Sequence, residues 1–353
     1  MKLPRPTYSE LRLETPHKVV ILLLATILTA AILLQLPGVR FASSDLALFF
    51  RPASRAWLSG NNPYDVHGFV NPPWTLPLML PFSLGPPRLG YVLLFLSSCA
   101  VLAGTVRAFR GDLWALLGVL ISAPTVSLLV LGQIDTWVLV GVLLGRWSVR
   151  QNHGIGLGVA LALVLVKPQV GGLVALVWIL TQPISLTGRA LITLIAIWFA
   201  SCLAAGVWWP FDPDLTWYGV NLGKSMSTRD LAQGLGLPTI FYPLIVSGLF
   251  ALWGWETHRR GSSDYVLGVS LLVTTLSTPY VLRHTFSVPL ATAFVLVVRH
   301  LPGWAILCYA LTWTPILTLF MDRWRGWWEV GAWWVLLTGL ILAGWRLSER
   351  RKI

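Results

Sequence analysis

The chain has 353 residues, of which 56% are hydrophobic and only 11% are charged, and its mean hydropathy is +0.71. Soluble domains carry about 25% charged residues, so a chain this poor in charge must turn apolar surface towards lipid rather than water. The net charge of +12 does not indicate nucleic-acid binding, because the basic residues are scattered between apolar runs and are better explained as determinants of membrane topology.

Apolar runs follow one another along the chain, and a run of about 20 residues is long enough to cross a membrane. We therefore predict a single all-α polytopic membrane domain with about twelve transmembrane helices and a helical first loop outside the cytoplasm. Its predicted segments are a first helix at residues 19–36, an outer loop at 37–88 that ends in a short re-entrant or interfacial piece, helices at 89–207, a second outer loop at 208–238, helices at 239–345 and a tail at 346–353.

Polar residues interrupt three of the longer apolar runs, and we predict breaks between short helices at these points. The runs and their breaks are residues 113–147 at Gly132-Gln133, residues 154–181 at Lys167-Pro168-Gln169, and residues 265–298 at Arg283-His284. Ionisable groups at membrane depth are costly, so their presence at such breaks indicates a functional site.

The distribution of basic residues predicts that these breaks face the outside of the cell. With both termini in the cytoplasm, the topology puts 16 of the 26 Lys and Arg residues on the cytoplasmic side and the remaining 10 outside. This bias agrees with the positive-inside rule. Half of the outer cations lie in the loops that carry the other candidate site residues, and we interpret them as a binding surface for an anion.

The chemistry that suits these residues is transfer of a sugar from a phosphate leaving group. The chain has no HExxH or CxxC motif and no Gly-rich phosphate loop, and we interpret Asp212 and Asp214, in the second outer loop, as solvated loop residues, so we predict no metal and no other cofactor. An enzyme outside the cytoplasm lacks nucleotides and needs a donor that crosses the membrane already activated, such as a polyprenyl-phosphate sugar. Lys and Arg would hold its phosphate, and a carboxylate would take the proton of the acceptor hydroxyl.

One stretch of the sequence resembles a known family. The segment SDLALFFRPASRAWLSGNNPYDV, followed by NPPWTLPLMLPF, is similar to the opening of the integral-membrane glycosyltransferases of family 87, in the GT-C superfamily. The shared pattern is an Asp soon after the first helix, an aromatic pair, G-x-x-P-Y and a Pro-Pro pair. It continues with GQID, in which Asp135 stands where the family usually has Asn, with Lys167-Pro168, and with an S-x-P…H passage that ends at His284. Arg283 stands where the mannosyltransferase members tend to carry another histidine.

The resemblance implies a GT-C-like helical bundle in the cell membrane. It implies an inverting transfer of a hexose, mannose-like, from a polyprenyl-phosphate sugar to a lipid or glycan acceptor, with membrane lipids as the remaining partners and with no nucleic acid. Asp45 would be the general base of this transfer. The substrate-binding residues predicted beside it are Arg51, Arg55, Tyr64, Gln133, Asp135, Lys167, Arg283 and His284.

The residues themselves leave alternatives open. Asp45 is also well placed to be the N-cap of a helix over residues 46–58. The pair Arg51 and Arg55, which share a helix face, would equally suit lipid headgroups, and Lys167 could snorkel to the membrane surface. A carrier that flips a lipid-linked sugar or another anionic lipid would use the same cations without needing a base at Asp45.

Overall fold

The computed structural model describes residues 44–211, 227–312 and 327–349 of the chain. Within these ranges the regular structure is helical and contains no strand, which agrees with the predicted all-α class. The predicted first helix at residues 19–36 lies outside the described residues, and so does the middle of the second outer loop, residues 212–226.

The helices are labelled in chain order. They are α1 Arg51–Leu58, α2 Thr75–Ser83, α3 Pro87–Ala108, α4 Leu113–Leu120, α5 Ala123–Leu131, α6 Thr136–Arg150, α7 Gly154–Val164, α8 Pro168–Thr181, α9 Ile184–Ala205, α10 Thr228–Gly234, α11 Phe241–Arg260, α12 Asp264–Ser277, α13 Val295–His300, α14 Pro302–Thr312 and α15 Trp327–Glu349. A π-helical turn, Leu46–Phe50, leads into α1, and a 3₁₀ turn, Arg283–Phe286, begins the irregular helical segment that leads into α13.

Two of the described helices are long and apolar enough to cross a membrane, namely α3 and α9, with 22 residues each. The pair α4 and α5 passes the same test together, although it bends by 55° at its break, so it provides a third span if it crosses as one unit. Apolar helices of this length are characteristic of a membrane protein. The figure of about twelve transmembrane helices stays a prediction.

The predicted breaks at polar residues are present, but one run is divided further than predicted. Residues 113–147 form three helices instead of two, because Ser122 starts a new helix. Its hydroxyl accepts a hydrogen bond from the Thr125 amide at 3.4 Å, and Pro124 occupies the first turn of α5. A serine cap followed by a proline is a helix-start signal that the sequence already contains. The helix expected after the break at Arg283-His284 is present over residues 287–300, with a π-helical turn, Leu290–Phe294, inside it.

The helices enclose a main apolar core, and glycines allow their close approach. A β-carbon on Gly145 of α6 would lie 2.2 Å from the Trp178 ring of α8, and one on Gly141 would lie 2.8 Å from Val164 of α7. Small residues of this kind let membrane helices pack backbone against side chain. The ends of α6, α7 and α8 are therefore held at fixed positions relative to one another.

Basic and acidic side chains join the helix ends on one side of the bundle. Arg146 donates to Asp264 at 2.7 Å and to the Ala108 carbonyl at 3.1 Å, which links α6, α12 and α3. Arg260 donates to the Gly344 carbonyl at 2.7 Å and so links α11 to α15. Helix α6 has 15 residues and connects this basic end to the break that precedes it, about 22 Å away.

The first loop is docked on the opposite end of the bundle through the turn that contains the Pro-Pro pair. The Trp74 indole donates to the Ala162 carbonyl at 2.8 Å, and the Asn71 amide donates to the Val166 carbonyl at 3.3 Å. The Trp209 indole, just after α9, donates back to the Val70 carbonyl at 3.2 Å. These bonds hold the loop against the C-terminal ends of α7 and α9.

A close contact between α2 and α3 gives a testable consequence. A β-carbon on Gly90 would lie 1.9 Å from the Phe82 carbonyl oxygen. We expect Gly90→Ala to lower the free energy of unfolding by about 1–3 kcal/mol, because backbone must move to admit the methyl group. Thermal unfolding in detergent would measure the loss, and Gly104→Ala on the same helix is the matched control because nothing lies within 4 Å of its β-carbon. Equal midpoints for the two variants would refute the close contact.

Candidate active site

Five polar side chains from separate helix ends form one connected cluster. Asp45 accepts a hydrogen bond from the side-chain amide of Gln133. The Lys167 ammonium donates to Gln133 Oε1 at 2.8 Å and to Asp135 Oδ2 at 2.8 Å. His284 Nε2 lies 3.8 Å from the same Asp135 oxygen. We call these five residues the polar cluster.

Each member of the polar cluster lies at a helix break, where the backbone turns. Gly132 ends α5 in the left-handed conformation, with φ of 62°, and so directs the next residues, Gln133 to Asp135, out of the helix. Lys167 immediately precedes α8, whose first residue is Pro168. A proline favours an extended residue before it, so it forces a break at Lys167. The breaks are thus encoded locally, but their meeting depends on helix packing.

The polar cluster is buried except at Asp45. Asp135 is 0% exposed and Lys167 is 7% exposed, whereas Asp45 is half-buried and reachable from the surface. Removing charges from water is costly unless they are paired, and the contact between Lys167 and Asp135 supplies that pairing. Among the described residues, Asp135 Oδ1 has no hydrogen-bond partner. Asp45 is therefore the one carboxylate of the polar cluster that a substrate can approach directly.

The surroundings of Asp45 raise the pKa of its carboxyl group towards neutral pH. Burial is the largest influence and raises the pKa of Asp45 to about 6, with a further upward contribution from the negative charge of Asp135 and a downward one from the Lys167 ammonium. A general base works best when its pKa lies near the operating pH. Asp45 is therefore suited to accept a proton from a hydroxyl group.

The alternative role of Asp45 as a helix cap is wrong. Its backbone is already helical, with φ of −63° and ψ of −28°, and its side chain makes no capping bond. The residue before it has that role instead, because the Ser44 hydroxyl accepts from the Ala47 amide at 3.2 Å. The Asp45 carboxylate is consequently available to the polar cluster.

Comparison with known proteins identifies the family. The sequence model of glycosyltransferase family 87 matches residues 69–308, which is more than two thirds of the chain. This protein belongs to glycosyltransferase family 87. No curated protein and no solved structure matches it. Membership makes it a membrane glycosyltransferase, so the carrier alternative is not needed to explain its cations.

The family match covers four members of the polar cluster. Gln133, Asp135, Lys167 and His284 lie inside the matched range, whereas Asp45 precedes it. The link between Asp45 and the family region is therefore a structural one, the hydrogen bond to Gln133. It places the first loop of this glycosyltransferase against the residues that the family model includes.

Two predicted site residues lie away from the polar cluster. Arg51 donates to the Gly85 carbonyl at 2.6 Å, and Arg55 is oriented towards the Ser83 carbonyl at 3.4 Å. Both guanidinium groups thus lie at the C-terminal end of α2, where unpaired carbonyls and the helix dipole favour positive charge. The structure does not bring them to Asp45, and it shows them instead joining α1 to α2.

Of the other two predicted residues, Tyr64 lies within the first loop and Arg283 directly precedes His284. The Tyr64 hydroxyl donates to the Asn71 carbonyl at 2.8 Å, and its ring centre lies 5.2 Å from that of Phe69, so Tyr64 shapes the first loop. Burial raises the pKa of Tyr64, which keeps the hydroxyl protonated. Arg283 opens the 3₁₀ turn that carries His284.

Tyr280 belongs to the polar stretch that precedes Arg283-His284 in the sequence, but sequence reasoning gave it no role in the site. Its side chain is half-buried, and both burial and the nearby negative charge of Asp45 raise its pKa. The loop that carries it is fixed by Thr278, whose hydroxyl donates to the Gln169 carbonyl at 3.0 Å. A single tyrosine near a helix end looks like part of an interfacial aromatic belt, so the sequence offered no distinguishing signal.

The described residues offer no ready metal site. No group of three His, Cys, Asp or Glu side chains among them lies close enough to share an ion. The two carboxylates of the polar cluster are engaged by Gln133 and Lys167. The absence of a metal or other cofactor stays a prediction.

Proposed function

We propose that this enzyme transfers a mannose-like hexose from a polyprenyl-phosphate sugar to a hydroxyl of a lipid or glycan acceptor, with inversion at the anomeric carbon. The observation that carries the proposal is Asp45, a half-buried carboxylate at the accessible end of an otherwise buried polar cluster. This is the arrangement that a general base requires, since it must reach the acceptor while its own position is fixed.

In the proposed reaction, Asp45 accepts the proton of the acceptor hydroxyl. That oxygen forms a bond to the anomeric carbon as the bond from this carbon to the phosphate oxygen breaks on the opposite face. The electron pair of the broken bond leaves with the polyprenyl phosphate. The enzyme must therefore hold a base on one side of the sugar and stabilise negative charge on the other.

Lys167 of the polar cluster and Arg283 beside His284 suit the phosphate of the donor. Lys167 has three N–H donors, and Gln133 and Asp135 engage two of them, which leaves one for a phosphate oxygen. Arg283 adds a permanently charged guanidinium on the turn that carries His284. We assign the leaving phosphate to this side of the polar cluster, with Tyr280 beside the acceptor and Asp45.

The distribution of basic residues between the two ends of the bundle supports an active site outside the cytoplasm. Arg146, Arg260 and their partners gather at one end, and Asp45 with the docked first loop lies at the other. Basic residues are enriched on the cytoplasmic side of membrane proteins. We therefore propose that the basic end, with both chain termini, faces the cytoplasm of a multi-pass protein in the cell membrane.

Cysteine labelling tests this orientation. Ser59 is exposed in the first loop, so Ser59→Cys is expected to react with a membrane-impermeant maleimide added outside intact cells. Gln151, exposed just after α6 at the basic end, is the matched position, and Gln151→Cys is expected to react only after permeabilisation. The reverse labelling pattern would place the site in the cytoplasm and end the proposal.

The substrate is tested directly with the purified protein in lipid. A panel of radiolabelled polyprenyl-phosphate hexoses, with a membrane lipid extract as acceptor, should give a labelled product from one donor, and mass analysis should show one added hexose. Transfer from a nucleotide sugar, with none from the lipid-linked panel, would overturn the donor assignment.

A further inference from the structure

Gln133 connects the exposed carboxylate of the polar cluster to its buried ion pair. Its amide nitrogen faces Asp45, and its amide oxygen faces Lys167 at 2.8 Å. We propose that Gln133 is a positioning residue for Asp45, and that Lys167 holds the Gln133 amide in the one orientation that serves this purpose. The inference rests on the proposed function, in which Asp45 is the base.

The donors and acceptors of the three groups determine the orientation of the amide. An ammonium group can only donate hydrogen bonds, so the side of Gln133 that faces Lys167 must be the carbonyl oxygen. The amide nitrogen, which can only donate, is then left to face Asp45. The Asp45 oxygen must accept this bond, and a carboxylate accepts more strongly than a neutral acid does. The hydrogen bonds from Lys167 to Gln133 and from Gln133 to Asp45 therefore favour the ionised form of Asp45, which is the form that a base needs.

Packing prevents Gln133 from adopting another position. Its side chain is buried, and the preceding Gly132 lies so close to the first loop that a β-carbon there would be 3.2 Å from Leu46, the residue after Asp45. The end of α5 is fixed as well, because the Tyr91 hydroxyl donates to the Leu129 carbonyl at 2.7 Å. The amide and the carboxylate thus meet through two segments that are in direct contact.

Lys167 is held in turn by Asp135. The pair is 2.8 Å apart and buried, so the ammonium cannot turn away from Gln133 without leaving a buried carboxylate unpaired. Besides Lys167 and Asp135, the titratable group near Asp45 is Tyr280 on the loop after α12, and His284 faces Asp135 on the other side of the polar cluster. The replacement of Gln133 changes none of these charges.

The test measures the protonation of Asp45 without using a substrate. A hydrophobic carbodiimide reacts with protonated carboxyl groups in apolar surroundings, and mass spectrometry of the peptide reports labelling of Asp45 as a function of pH. In Gln133→Met, the lost hydrogen bond is expected to raise the pH of half-maximal labelling by about one unit relative to the wild type. Gln133→Glu, which keeps the side-chain length but adds a carboxylate beside Asp45, is expected to raise it further.

Controls separate positioning from general damage. Gln151→Met makes the same substitution at an exposed residue after α6 and should leave the labelling curve unchanged. Asp65, exposed in the first loop, is a negative control and should stay unlabelled in all variants. Size-exclusion profiles and unfolding midpoints identify folded protein, and if Gln133→Met does not fold, Gln133→Ala, which also removes the amide without adding a charge, decides the question.

An unchanged Asp45 curve in a folded Gln133 variant would overturn the inference. Loss of activity with an unchanged curve would also overturn it, because it would show that Gln133 acts by another route. Failure of the proposed function is a separate result. If Asp45→Asn retains full transfer, Asp45 is not the base, but the labelling curves still decide whether Gln133 controls its protonation.

Discussion

Asp45→Asn is expected to lower the rate of sugar transfer by about 10²–10⁴-fold, which is the usual contribution of a general base. Asparagine has the same shape but cannot accept a proton at working pH, so the loss should appear in kcat, with KM for the donor nearly unchanged. Initial rates with the lipid-linked donor would measure it. Asp65→Asn is the matched control, because it changes an exposed carboxylate of the first loop that lies outside the polar cluster.

The pH dependence of the wild-type enzyme provides a second test of the same assignment. The base must be ionised, and burial raises the pKa of Asp45 to about 6. The rate should therefore be constant above this pH and fall below it, to about a tenth of the plateau at pH 5. The residual activity of Asp45→Asn should lack this decline. Full activity in Asp45→Asn, or a wild-type rate that does not change between pH 5 and 7, would remove Asp45 from the mechanism.

Lys167→Met is expected to lower the free energy of unfolding by about 3–5 kcal/mol, because it leaves the fully buried Asp135 without its ion-pair partner. The double variant Lys167→Met with Asp135→Leu should recover most of this stability, since it removes both charges together. Unfolding in mixed micelles at pH 8 would measure the effect. This pH lies above the ordinary titration range of histidine, so His284 does not replace the lost cation.

The ion pair between Arg146 and Asp264 shows how the loss of stability depends on burial of the remaining carboxylate. Arg146 pairs with Asp264 at 2.7 Å, but the Asp264 side chain is 34% exposed and water can solvate it when its partner is removed. Arg146→Met should therefore cost less stability than Lys167→Met. If the double variant were as unstable as Lys167→Met alone, the loss would come from packing of the lysine chain and not from the charge of Asp135.

Local sequence signals predicted several elements of the fold correctly. Gly132 and Pro168 end helices through backbone conformation, so the breaks beside Gln133 and Lys167 could be located from the sequence. The signal at Ser122 was equally local but was hidden in a long apolar run, and the extra helix start was missed. The capping role that was an alternative for Asp45 belongs to Ser44, one residue earlier, and both are good capping residues.

The roles of the arginines depended on contacts that no local pattern contains. The four-residue spacing of Arg51 and Arg55 correctly places them on one face of a helix. What this face meets is the C-terminal end of α2, some 30 residues further along the chain. The proximity of Tyr280 to Asp45 was missed for the same reason, since only the packing of its loop brings the two residues together.

The sequence by itself determined that this is a helical membrane protein, that it carries polar residues at its helix breaks, and that it resembles glycosyltransferase family 87. These properties follow from composition, from backbone preferences and from short motifs, all of which are local. Only the tertiary structure decided that Asp45 meets Gln133, that Lys167 pairs with Asp135, and that both arginines lie elsewhere. The contacts among Asp45, Gln133 and Lys167 join residues 34 to 88 positions apart, and such distances in sequence are closed by helix packing alone.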